Sequence, residues 1–192
     1  MKILFINIVF ILMFYSCRQS NNVVVEKWDT GSPKVVMKFK SVSDSTYTRI
    51  EYFGNGTIKS TQDFVHGKLN GKLISYFDKG VKQSEFDYVE GQKNGIGTEW
   101  YESGKIAYQF RFKDGLYYDG TEYFENGWPK VLVKFSAPGQ REGKATYFQE
   151  DGHIWMEGYF KNGKEDSVWV KYDKVGGITE RIKYKNGSEV TN

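Results

Sequence analysis

Few residues of this 192-residue chain are of the types that do chemistry, and their spacing keeps them apart. The two histidines, His66 and His153, lie in different turn-like stretches, where a histidine is usually just a polar residue, so they are not expected to act together as acid and base. Cys17 is the only cysteine, and no Cys/His cluster offers the spacing of a zinc site, so no metal is expected. Carboxylates pair twice, Glu165 with Asp166 and Asp119 with Glu122. Paired carboxylates are what acid/base hydrolysis needs, but on a solvated sheet they serve equally as turn and cross-strand charges. The glycines fall at hairpin intervals, so none forms the strand-to-helix loop that cradles a phosphate. Asn55-Gly56-Thr57 and Asn186-Gly187-Ser188 spell glycosylation acceptors, yet turn chemistry accounts for both. No catalytic residue and no cofactor is assigned, and the chain is expected not to be an enzyme.

What would position such residues is unusually regular. Tyr123-Phe124-Glu125-Asn126-Gly127 sets two aromatics before a tight turn, and relatives of it recur along the chain. The second aromatic falls at 53, 77, 101, 124, 148 and 172, in steps of 24, 24, 23, 24 and 24. A second landmark, an aromatic followed by a closing glycine, puts glycines at 67, 91, 115, 139, 163 and 187. Fixed periods of this size mark a repeat array in which each unit stacks on its neighbours. Between landmarks, Ile106, Tyr108, Phe110 and Phe112 alternate with Lys105, Ala107, Gln109 and Arg111, the period of a half-buried strand. Each unit therefore has two strands and two turns.

Aromatics make up 17% of the chain and Pro is scarce, which favours many short strands over disorder. The expected fold is all-β: an elongated, twisted, single-layer antiparallel sheet of tandem β-hairpins, about thirteen strands over residues 27–192, with Val23–Val25 outermost. Two irregularities are expected, where Gly115–Gly120 is compressed and where Glu165-Asp166-Ser167 replaces the usual glycine. The formal charge of +3 is small and spread out, without a basic run, so no nucleic-acid partner is expected. Tyr108, Phe110, Phe112, Val131, Val133 and Phe135 should share one sheet face. They are either the sheet's own core or an exposed patch that docks a partner.

The N-terminus reads differently. Residues 1–16 form an apolar run behind Lys2, too short to span a bilayer comfortably, as in a secretory signal peptide. Phe14-Tyr15-Ser16-Cys17 resembles a bacterial lipobox, although Phe14 and Tyr15 depart from its usual residues. That resemblance implies lipidation of Cys17, a tether over 17–26, and a membrane contact through the lipid anchor. Arg18, in place of a retaining Asp, implies an outer-membrane lipoprotein of the cell envelope facing the periplasm.

The repeats themselves, Tyr-Phe-Glu-Asn-Gly followed by Phe-Lys-Asn-Gly-Lys, resemble the bacterial variant of the MORN (membrane occupation and recognition nexus) repeat. The resemblance runs from about Lys27 to Asn192. It implies tandem hairpins in an extended sheet and a non-enzymatic scaffold that binds a protein partner. Repeat proteins of this kind are also described as antitoxin-like, which implies an immunity protein neutralising a cognate toxin. A polysaccharide-acting envelope hydrolase is the reading from a different class.

Overall fold

A computed structural model describes residues 21–43, 45–136 and 139–190. The signal peptide expected over 1–16, and Cys17, lie outside the described residues. The fold is one open antiparallel sheet in which every strand pairs only with its neighbours in chain order. The strands are β1 (Asn22–Lys27), β2 (Pro33–Ser41), β3 (Thr46–Tyr52), β4 (Ile58–Val65), β5 (Lys68–Tyr76) and β6 (Lys82–Val89). They continue as β7 (Gln92–Trp100), β8 (Ile106–Lys113), β9 (Leu116–Tyr123), β10 (Pro129–Ser136) and β11 (Gln140–Phe148). The last four are β12 (Ile154–Lys161), β13 (Lys164–Tyr172), β14 (Ile178–Lys185) and β15 (Ser188–Glu189). Among the described residues the sheet thus has fifteen strands, not about thirteen. β15, two residues long, was not foreseen because a strand so short leaves no alternating pattern. β1 takes in residues 22–26, which the expected tether had included.

Two kinds of turn alternate. In the short one, for example Asp114 (φ 52°) and Gly115 (φ 77°), both central residues are left-handed. This is the type I′ turn, whose twist matches that of the flanking strands. At the longer tips, Gly127 N–H donates to Phe124 O at 2.9 Å and Phe124 N–H to Trp128 O at 2.8 Å. Here a type I turn runs into a left-handed residue at Gly127 (φ 93°), which glycine adopts without strain. The units are also stitched to each other. Gly91, Gly115 and Gly187 donate their N–H to Leu69 O, Lys93 O and Glu165 O at 2.8–2.9 Å, each an earlier unit's strand.

The two expected irregularities resolve differently. In most units the strand after a type I′ turn carries a bulge, as where Phe86 pairs with Gly97 but Tyr88 pairs with Lys93. Gly71, Gly95 and Gly143 hold a positive φ in these bulges, and Ser167 adopts the same conformation (φ 63°) without the glycine. The sheet there keeps the common geometry. In β9 the bulge is shorter by one residue: Phe110 pairs with Gly120 and Phe112 with Tyr117. That shortening is the source of the 23-residue step.

With one layer, burial comes from side chains lying across each other on a face. The tightest cluster is Ala145 (0% exposed), Phe160 (3%) and Trp169 (3%), with Met156, Tyr147 and Tyr184 packed around it. Trp169 lies over Gly158, and Phe86 over Gly97, so backbone glycines make room for rings. The opposite face is polar and carries ion pairs: Lys72 with Glu85 and Asp87, Arg111 with Asp119, and Lys144 with Glu157. Such exposed pairs contribute at most about 1 kcal/mol each.

Candidate functional site

The aromatic face concentrates between β6 and β13. Along β8, Tyr108, Phe110 and Phe112 point to one side; in β9 they oppose Glu122, Gly120 and Tyr117. In β10, Val131 opposes Glu122 and Val133 opposes Gly120. The Phe135 ring meets Tyr117 at 4.2 Å. All six residues singled out in the sequence therefore lie on one face, none of them fully buried. The rings touch in series: Phe86 with Phe110 at 6.3 Å, Tyr108 with Phe110 at 5.6 Å, and Phe110 with Tyr117 at 5.5 Å.

Between Phe110 and Val133 the intervening residue is Gly120, and the Tyr117 ring lies across it. A Cβ at Gly120 would sit 2.4 Å from Tyr117 Oη and 2.7 Å from Gln109 O. Beside them a cavity of about 300 Å³ has Phe110, Tyr117, Val133 and Phe135 around it. Glu122 and Arg141 also line it. Sequence reasoning missed Tyr117, Gly120 and Arg141. The 23-residue step marked their unit as unusual, but it did not say that the shortening would bring a ring beside a glycine.

The charges around the cavity differ in their engagement. Glu122 accepts from Tyr108 Oη at 3.2 Å and from Lys130 Nζ at 2.7 Å. Burial, and then the nearby Glu122 charge, raise the Tyr108 pKa. Tyr117 is pushed up to about 12, first by burial and then by Asp119, with Arg141 acting against both. The Arg141 guanidinium rests over the Phe160 ring at 5.1 Å. At the patch's other border, Lys93 Nζ lies 3.7 Å from the centre of the Phe86 ring, and burial lowers its pKa.

The residues considered for catalysis do not converge. Asp119 pairs with Arg111 on the polar face, whereas Glu122 lies on the aromatic face beside Tyr108. Glu165 and Asp166 are successive strand residues, opposite Phe160 and Tyr159, and so point to opposite faces. His66 occupies a type I′ turn (φ 50°). His153 pairs with Asp151, Nδ1 to Oδ1 at 3.1 Å, in a tip turn, and this lowers the Asp151 pKa. Among the described residues no group of three or more His, Cys, Asp or Glu could hold a metal ion. Asn55 Oδ1 accepts from Thr57, and Asn55 Nδ2 reaches Asp78 O in the next unit, so this Asn-Gly-Thr is a working part of its turn.

Comparison with known proteins agrees with this architecture. Residues 93–114 and 141–162 each match the family described as MORN repeat variant. The first match covers the β7–β8 hairpin and the second the β11–β12 hairpin, so the cavity's own β9–β10 hairpin lies between them. No curated protein matches the chain. Among solved structures there is a similarity to an S. aureus TarM mutant in complex with fondaparinux, alpha-GlcNAc-glycerol and UDP, at 10% identity and a TM-score of 0.33. It covers 69% of this chain and 21% of that chain, and carries no argument about function.

Proposed function

We propose that this chain is a non-enzymatic repeat scaffold that binds a protein partner through its aromatic face and is held at the cell envelope by lipid on Cys17. The observation that carries the first part is the row of touching, partly exposed rings Tyr108, Phe110, Tyr117 and Phe135, seated beside the buried Phe86 and around the hollow at Gly120. A concave apolar surface with a few polar groups at its rim is what recognition sites share. The anchor rests on the apolar run over 1–16 and the lipobox-like Ser16-Cys17.

Photocrosslinking in the native cell tests the face. A photoreactive phenylalanine analogue at position 110 should give discrete protein adducts, and the same group at Leu132, on the polar face, should not. Identical adducts from both sites, or none from either, would overturn the reading. Cys17→Ser tests the anchor: the product should leave the membrane fraction, and retention there removes the lipid.

A further inference from the structure

Building on that reading, we infer that the Gly120 depression takes the C-terminal residue of the partner, its apolar side chain among the rings and its free carboxylate on Arg141. The cavity's size, about 300 Å³, is at the small end of ligand sites and suits one residue better than a length of chain. Its floor and walls are apolar, from Phe110, Val133 and Phe135.

The polar groups at the rim restrict what enters. The Glu122 carboxylate is already engaged by Tyr108 and Lys130. Tyr117 Oη has no hydrogen-bond partner among the described residues, and burial keeps it in its protonated, donating form. Arg141 forms no ion pair among the described residues; it offers only N–H donors, and its guanidinium rests over the Phe160 ring. Glu165, opposite Phe160 on the same face, does not reach it. The unused capacity is therefore donor and cationic, beside an apolar hollow. The complement is an anionic acceptor next to an apolar group.

Chain geometry selects the terminus over an internal acidic residue. In an extended segment an Asp or Glu directly adjacent to the apolar residue points to the opposite face, and one two positions on lies roughly 7 Å along the chain, beyond a hollow that holds one residue. A C-terminal residue carries its side chain and its carboxylate on the same Cα.

The test uses the unaltered full chain and three synthetic probes, followed by calorimetric titration. They are an N-acetylated oligoglycine ending in phenylalanine as the free acid, the same peptide as the carboxamide, and a carboxamide peptide with Glu before the phenylalanine. The free acid should bind about tenfold or more tighter than either amide, the usual worth of a charge-assisted hydrogen bond. Arg141→Gln should erase that preference and Arg141→Lys retain part of it; Arg141 is exposed but rests on Phe160, so urea unfolding of each variant checks that the fold is intact before binding is compared. Equal affinity for acid and amide, equal affinity for the internal-Glu peptide, or no binding up to millimolar concentration would each overturn the inference. Adducts from position 110 with no preference for the acid would leave the binding face standing and remove only the carboxylate.

Discussion

Gly158 offers the sharpest perturbation. Its backbone is not in the left-handed region, so alanine is acceptable to the chain itself, and only space decides the outcome. An added Cβ would fall 2.1 Å from Cδ2, 2.4 Å from Cε2 and 2.5 Å from Cγ of Trp169. Because Cγ is the stem of the indole, the whole ring must swing off the sheet. Trp169 is 3% exposed and meets Phe160 edge-on at 5.1 Å. Losing half of a tryptophan's burial, about 100 Å², removes roughly 2.5 kcal/mol. Losing the edge-on contact removes about 1 kcal/mol more. Alanine returns about 0.5–1 kcal/mol by restricting the unfolded chain. Gly158→Ala should therefore cost about 2.5–3 kcal/mol by urea unfolding followed with near-ultraviolet circular dichroism. In a Trp169→Ala background the same change should be neutral or slightly stabilising. An equal loss in both backgrounds, or none in the wild-type background, would refute the account of glycine as the seat of the ring.

Tyr117 gives a pH signature. Its phenol titrates at about 12 when folded, above the ordinary value near 10. The stability tied to its neutral form is thus complete below pH 10 and is lost as pH rises through about 12. Tyr117→Phe should flatten this alkaline loss of stability; an unchanged profile would show that other groups carry it. At Ser167, the left-handed φ of 63° costs a non-glycine residue about 1–2 kcal/mol, and glycine's own folding entropy takes back about half. Ser167→Gly should accordingly stabilise the protein by about 0.5–1 kcal/mol in denaturant titration, and a destabilised variant would contradict this.

The sequence was most legible where local chemistry decides the structure. Alternation along Ile106–Phe112 and the Gly-containing turns at fixed spacing define strands and tips with no long-range contact needed. The common face of Tyr108, Phe110, Val131 and Val133 followed from side-chain parity alone, once neighbouring strands were paired in order. Parity also separates Glu165 from Asp166. What could not be read was depth. That Tyr117 leans across Gly120, or that Arg141 settles on Phe160, depends on a one-residue change in a bulge and on how rings tilt. Ser167 shows the converse: a serine where the other units have glycine suggested irregularity, but the neighbouring pairings hold it in the shared conformation.

Strand order in strict chain sequence also fixes how the molecule bears load. No strand is clamped by one from a distant part of the chain, so tension between the two ends opens each hairpin crosswise, bond after bond, instead of shearing many bonds at once. A scaffold held at one end and pulled through a partner would yield from its termini in increments, extending as a compliant spring while its central hairpins keep their grip.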